Sequence, residues 1–322
     1  MNRDEAVIGI DIGGTTTAVG LVDQKGNLLA EGVIATGSQG SAETLVARLH
    51  EKIGDLHKTI PDNLKIRGIG IGAPNANYYR KTVENPPNLN WGASVNLVEL
   101  FRKYYDLPVA VTNDANAAAL GEMQFGAARG MRDFIVITLG TGLGSGIVAN
   151  GGLLYGADGF AGELGHTVVD PVGRECACGK RGCLETYVSA TGLCRTASAL
   201  MAERLEPSIL RDLSYTQLTS KIIYEAAIQG DGIALAAFDA TARILGMKLA
   251  DAVAHTGPEA IFLYGGLATA GDLLLSPTRR YMEQDLFISY RGKVLLLRSG
   301  LPEESGAVLG AAALIWHELI EK

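Results

Sequence analysis

Cysteine is scarce in this chain of 322 residues. There are four, and three of them fall between positions 176 and 183. Such sparing use excludes a disulfide-stapled scaffold of the secreted kind. No run of about 18 consecutive apolar residues occurs, so no membrane span is expected. The opening residues MNRDEAVIGID carry acids before any apolar stretch, unlike a signal peptide. Basic clusters are also missing. The 28 Lys and Arg are outnumbered by 35 Asp and Glu, for a net charge of -7, which opposes attraction to nucleic acid or anionic membrane. Neither a G-x4-G-K-[ST] loop nor a G-x-G-x-x-G fingerprint is present, which disfavours the commonest nucleotide-binding folds. Few cysteines, no leader and an acidic balance together point to the cytoplasm.

Glycine, in contrast, is abundant at 41 residues. It clusters as GIDIGG, GIGIGAP, LGTGLGSG and YGGL, each at the end of an apolar run. That placement suggests backbone turning sharply or approaching a ligand. The β-rich runs 6–11, 17–23 and 28–35 read as strands, with Lys25-Gly26-Asn27 as a turn. Residues 42–57 carry Leu45, Leu49, Ile53 and Leu56 on one helical face. A strand over 66–73, a helix over 94–105, a strand over 108–112 and an alanine-rich helix over 115–128 follow. The pattern then restarts: strand 133–139, glycine turn GTGLGSG, strand 147–149, then helical stretches over 184–205 and 232–255. Strands at 260–264 and 293–298 and a helix at 306–320 complete the chain.

Setting GIDIGGTTTAVGLVD beside VITLGTGLGSGIVAN places Asp11 over Thr138, Gly13 over Gly140 and Leu21 over Val148. The offset of 127 is expected to hold through both strands and slip by two at the turn. Two glycine hairpins at equivalent places suggest an internal duplication, and strands alternating with helices make the chain α/β. No low-complexity linker divides the halves, so any hinge is expected near 114–118 and 300–306.

The cysteine cluster reads CACGKRGCLE over 176–185. His166 precedes it by a spacing that gives His-x9-Cys-x-Cys-x4-Cys. Thiolates with one histidine hold zinc tetrahedrally, and Gly179 and Gly182 let the chain turn between ligands. The Cys-x-Cys gap is tighter than usual for zinc. A redox pair would prefer Cys-x-x-Cys, and a disulfide would leave one cysteine over. A metal knot is the leading reading, with a redox or free thiol as its rival.

The turns Asp-Ile-Gly-Gly-Thr-Thr and Gly-Thr-Gly-Leu-Gly could each cup an anion with successive N–H groups and threonine hydroxyls. Two ordinary tight hairpins are the plainer alternative. Asp114 ends a strand and opens a helix, where an N-cap is its plainest role.

GELGH (162–166) followed by CACGKRGCLE closely resembles the zinc motif of the ROK family of sugar kinases and sugar-responsive repressors. The resemblance extends in order through DIGGT (11–15), PNLNW (87–91), NDANAAALGE (113–122) and LGTGLGSGI (139–147), nearly the whole chain. It implies a two-lobed actin/hexokinase-like (ribonuclease H-like) fold of duplicated βββαβαβα topology. The small lobe would comprise 1–116 plus 304–322, and the larger lobe 117–303 would carry the zinc loop.

The resemblance also implies a structural zinc on His166, Cys176, Cys178 and Cys183. Gly13, Gly14, Thr15 and Thr16 would meet the transferred phosphate of ATP. Thr141 and Gly142 would form a second grip, with Gly265 and Gly266 beside the adenosine. Asp11 would hold Mg²⁺ and Asp114 would be the catalytic base. Asn88, Asn113, Asp114, Glu163, His166 and Glu185 would hold a hexose, glucose first, phosphorylated at its 6-hydroxyl. Cys194, His50, His57, His255 and His317 read as structural or surface residues. A homodimer is the family-level expectation.

Two segments depart from the family pattern. Asn75-Ala-Asn-Tyr-Tyr follows GIGAP where the family has Gly and an x-Val-Asp stretch, and PNLNW lacks the usual Pro-Gly before Trp91. Both flank the expected sugar pocket. An N-acetylhexosamine kinase (N-acetylglucosamine or N-acetylmannosamine) therefore stands as the alternative. A DNA-binding repressor of the same family would need a helix-turn-helix of roughly 60 residues ahead of the first strand, where five are read. A non-catalytic actin-like protein would not need Asp114 or the sugar-side glutamates.

Overall fold

The computed structural model describes residues 5–37, 39–61, 63–86 and 89–320. The first half contains β1 (Glu5–Ile12), β2 (Thr16–Asp23), β3 (Leu28–Ala35), α1 (Ala42–His57) and β4 (Lys65–Ala73). A small antiparallel sheet of β5 (Ala76–Asn77), β6 (Thr82–Glu84) and β7 (Ser94–Asn96) follows, then α2 (Leu97–Arg102), β8 (Val109–Asn113) and α3 (Asp114–Gln124). The second half contains β9 (Phe134–Leu139), β10 (Leu143–Ala149), β11 (Gly152–Leu153), α4 (Ala190–Glu203), α5 (Ser220–Ile228) and α6 (Gly232–Thr256). It ends with β12 (Ala260–Tyr264), α7 (Asp272–Asp285), β13 (Leu295–Arg298) and α8 (Gly306–Ile320).

The two main sheets run β3-β2-β1-β4-β8 and β11-β10-β9-β12-β13. In each, the first three strands are antiparallel neighbours and the last two run parallel to the central one. The order and directions are the same, so the duplication read from the glycine hairpins is real. One detail needs correction. Four residues separate the last pair, Ile12 and Thr17, of the first hairpin, whereas three separate Leu139 and Leu143 in the second. The offset is therefore 127 along β1 and β9 but 126 along β2 and β10, which sets Leu21 over Ile147 rather than Val148.

Local chemistry explains most elements. Ser41 caps α1 by accepting from the Thr44 N–H, and Leu45, Leu49, Ile53 and Leu56 form its buried face. Asp231 caps α6, and Gly257 ends it in the left-handed region at φ 56°. Three expected elements differ. Residues 94–96 form a strand because Val95 pairs with Val83, and the Asn96 side chain starts the helix only afterwards. The alanine-rich helix stops at Gln124, before the expected 128. In GTGLGSG, Leu143 to Gly146 already belong to β10. A Cβ on Gly146 would lie 2.6 Å from the Ala115 carbonyl oxygen, so that glycine makes room for a helix and does not turn the chain. The helices α5 and α7 were not anticipated. Pro277 inside α7 hides its pattern.

The helices that leave each sheet cross over. α3 extends from β8 but packs on β9 and β10, while α8 extends from β13 but packs on β1, β4 and β8, and the two helices pack on each other. Their crossing has no room for side chains. A Cβ on Gly121 would lie 2.8 Å from the Gly310 Cα, and one on Gly310 would lie 2.6 Å from the Ala117 carbonyl oxygen. A methyl there must push backbone apart, so Gly310→Ala is expected to destabilise by about 1–3 kcal/mol. Gly54 on the exposed side of α1 faces open space, and Gly54→Ala should instead stabilise by roughly 0.5–1 kcal/mol. Denaturant melts of both variants check the pair, and a Gly310→Ala protein as stable as the parent would refute the packing account.

Candidate active site and cysteine knot

The sequence-singled residues collect where the parallel strands of the two sheets end, the usual ligand edge of an α/β sheet. In the first turn the Gly13 N–H donates to the Thr16 carbonyl at 3.0 Å, and the Thr36 hydroxyl donates to the Gly13 carbonyl at 2.7 Å. The N–H groups of Gly14 and Thr15 have no backbone acceptor among the described residues, and Thr15 and Thr16 are exposed. In the second turn the Gly140 N–H donates to the Gly142 carbonyl at 3.1 Å. The start of α4 braces this turn: the Ala190 N–H reaches the Gly140 carbonyl at 2.9 Å and the Thr191 hydroxyl the Thr141 carbonyl at 2.8 Å. Gly265 ends β12 at φ 96°, and a Cβ there would lie 2.9 Å from the Leu139 carbonyl oxygen, which sets Gly265 and Gly266 beside the second turn. Between 11 and 17, 139 and 146, and 264 and 271 there is no Lys or Arg. These turns can meet an anion only with backbone dipoles, hydroxyls or a bound cation.

Asp11 sits near the end of β1, opposite Gly72 on β4. Burial, and then the charge of Asp114, push its pKa up to about 7. Asp114 is the first residue of α3. The residue is solvent-exposed at its surface, but protein surrounds its carboxyl on the larger scale, and that desolvation raises its pKa above the ordinary carboxylate range. The expected N-cap role falls instead to Asn113, whose Oδ1 accepts from the Ala115 N–H at 2.9 Å. Asp114 Oδ1 shares that N–H, also at 2.9 Å. Gly72 separates the two acids: a Cβ on it would lie 3.6 Å from Asp11 Oδ1 and 3.7 Å from Asp114 Cα. Sequence reading missed this glycine's place, since a strand glycine gives no hint of the neighbouring strands.

The cysteines form a knot. The donor atoms of His166, Cys176, Cys178 and Cys183 all lie within 4.8 Å of one another. The Cys176 sulfur is 3.7 Å from His166 Nδ1, and the Cys178 and Cys183 sulfurs are 3.7 Å apart. A disulfide needs about 2.05 Å, whereas a tetrahedron with zinc–sulfur bonds of about 2.3 Å has sulfur–sulfur edges of about 3.8 Å. Three sulfurs and an imidazole at these spacings fit a structural zinc with four protein ligands. All four cysteines are free thiols, with no disulfide among them. A Cβ on Gly182 would collide with the Asp170 carbonyl oxygen, so only glycine lets the knot fold back on residues 168–170.

Glu185 joins this knot to its surroundings. Its Oε1 lies 2.9 Å from the Cys176 sulfur and 3.5 Å from His166 Nδ1, and its Oε2 would lie 2.9 Å from a Cβ on Gly142 in the second turn. Nε2, the other ring nitrogen of His166, is 4.0 Å from Glu163. Burial raises the Glu163 pKa. The His166 charge opposes this, while those of Asp114 and Glu185 add to it, so Asp114 at the head of α3 lies within electrostatic reach of Glu163. Asp114, Glu163, His166 and Glu185 are thus linked by short distances or electrostatic coupling, with Asn113 next to Asp114 in the chain, and Asp11 and Gly142 join them to the two turns. Asn88 lies outside the described residues.

Comparison with known proteins agrees with this geometry. The profile of the ROK family matches residues 7–318. A glucokinase of Halalkalibacterium halodurans is 38% identical over 287 residues, covering 87% of this chain and 86% of the relative. A glucokinase of Thermotoga maritima is 36% identical, covering 96% of each. The crystal structure of a ROK family glucokinase from Streptomyces griseus in complex with glucose and AMPPNP superposes with a TM-score of 0.82 at 37% identity, covering 96% of this chain and 98% of that one. The fold is accordingly the two-sheet actin/hexokinase-like one, and the chain belongs to the ROK family.

Proposed function

We propose that this chain transfers the γ-phosphoryl group of ATP to the 6-hydroxyl of a hexose, with glucose as substrate, giving hexose 6-phosphate and ADP. The observation that supports this most is one arrangement. A carboxylate at the head of α3 lies within electrostatic reach of Asp11 beside the first glycine turn and of Glu163, and Glu163 and His166 lead through Glu185 to Gly142 of the second turn. That relatives at 36–38% identity are named glucokinases is what supports glucose over other hexoses in this reading.

In this reading Gly13, Gly14, Thr15 and Thr16 hold the γ-phosphate end, Thr141 and Gly142 hold the inner phosphates, and Gly265 and Gly266 border the adenosine. Mg²⁺ carried with the nucleotide would supply the positive charge that these turns lack, and Asp11, at the end of β1 beside the first turn, is the residue to hold it. Glu163, Glu185, His166 and Asn113, together with Asn88, grip the sugar hydroxyls. Each such bond lets the site reject an analogue lacking that hydroxyl.

Asp114 accepts the proton of the 6-hydroxyl while that oxygen attacks the γ-phosphorus and the bond to the β-phosphate oxygen breaks. Burial raises its pKa above the ordinary carboxylate range, which makes its carboxylate a stronger proton acceptor. Zinc fixes the loop bearing His166 and Glu185 and takes no part in the chemistry. We further infer a small lobe of 1–116 with 304–322, a larger lobe of 117–303, action in the cytoplasm and a homodimer. The packing of α8 on the first sheet supports that division, and among the described residues no helix is long and apolar enough to cross a membrane.

The direct test is ADP release from Mg-ATP with one sugar per well: glucose, mannose, fructose, allose, glucosamine, N-acetylglucosamine and N-acetylmannosamine. Glucose should stand well above the rest. An N-acetylhexosamine in its place would turn the assignment to the alternative, and no turnover with any sugar would defeat it. Asp114→Asn should lower kcat at least ~10²-fold in a protein that still binds glucose, and near-normal turnover would exclude the base role. Elemental analysis should find about one zinc per chain. Active, freshly purified protein without zinc would remove the metal from the account.

A further inference from the structure

The segment that departs from the family pattern, Asn75 to Tyr79, reaches across to the second half of the molecule. Asn77 in β5 is fully buried. Its Nδ2 donates to the Asp158 carbonyl at 2.7 Å and its Oδ1 accepts from the Arg80 N–H at 3.0 Å. The Tyr78 ring stacks on Tyr155, with centroids 4.1 Å apart and planes 12° from parallel, and its hydroxyl donates to Glu318 of α8. Arg80 pairs with Asp158 and lies over the Phe160 ring, 5.5 Å from its centre. Residues 75–80 belong to the first half and 155–160 follow β11 of the second. Side chains therefore make a strap between the halves, separate from the crossing of α3 and α8.

The strap ends at the site. From Phe160 the chain runs into Glu163, held on the way by the Ala161 N–H on the Tyr155 carbonyl at 3.0 Å and by the Ser145 hydroxyl on the Gly162 carbonyl. At the other end β5 packs beside β8, which leads into Asp114. The contacts do not weigh equally. The Arg80 and Asp158 side chains are 42% and 76% exposed, and such a pair contributes little. The buried Asn77 amide, whose donor would be left without an acceptor, carries far more.

Resting on the kinase reading above, we propose that Asn77, Tyr78 and Arg80 are positioning residues that dock on the 155–160 loop, hold Glu163 opposite Asp114, and so set affinity for the sugar and not for the nucleotide. Two substitutions attack the same contact from opposite sides. Asn77→Asp keeps the shape but removes the donor to Asp158. Gly159→Ala sets a methyl 2.8 Å from the Asn77 amide at a backbone φ of +82°, and serves as the test should Asn77→Asp not fold.

With glucose and Mg-ATP as substrates, each variant should raise the glucose KM about tenfold, the scale of one lost buried hydrogen bond. The Mg-ATP KM should stay within about twofold, and the double variant should be no worse than the poorer single one. Asp158→Ala, which removes only the exposed pair, should change the glucose KM about twofold or less. An unchanged glucose KM in folded variants, a parallel rise in both KM values, or additive effects in the double variant would overturn the strap. A parent protein with no sugar-dependent ADP release would instead overturn the kinase reading, whereas an active parent with normal variants would overturn the strap alone.

Discussion

The backbone contact between α3 and α8 is the constraint on which the molecule depends. Each helix grows from one sheet and covers the other, so neither sheet has a complete core without its counterpart. Gly121 and Gly310 bring the two helices so close that main chain meets main chain. A contact of this kind has little freedom to slide, because nothing compressible lies between the two helices. It also settles where Asp114 must be. α3 begins at Asp114, so whatever fixes α3 between the sheets fixes the acid at its head.

The chemistry around that acid uses few charged groups. The two glycine turns carry no Lys or Arg, and burial together with neighbouring acids raises the pKa values of the nearby Asp11, Asp114 and Glu163. A cleft of this sort is poorly suited to hold a polyanion alone. It becomes suitable once a cation arrives, and the cost of bringing carboxylates together is then recovered. The cysteine knot solves a different problem. Residues 166–185 contain little apolar material with which to fold, and a metal centre replaces the core that such a loop cannot build.

Much of this was legible in the sequence because it rests on local chemistry. The hairpins, the amphipathic α1, the duplication and the histidine–cysteine set all follow from periodicity, turn residues and ligand spacing. What escaped was tertiary in origin. Gly144 and Gly146 resemble turn glycines and are strand glycines beneath a helix. Gly72 separates two acids that lie far apart in the chain. Asn113 took the cap that Asp114 seemed suited for, and the Asn77 contact joins residues some eighty positions apart. No window along the chain reports such a meeting.

The unequal hairpins have a consequence for direction. The halves share one topology, yet Asp11 in β1 corresponds to Thr138 in β9, and the second turn is one residue shorter. Two identical halves would present a phosphate chain with the same surroundings at either end, and it could lie in the cleft either way round. On the reading proposed above, one end of that chain meets a carboxylate and a longer loop, and the other meets a hydroxyl whose oxygen already accepts from the Gly144 N–H at 3.2 Å. On that reading, divergence of the two copies gives a near-symmetric pair of turns a single polarity, with the reactive end of the phosphate chain beside the first half.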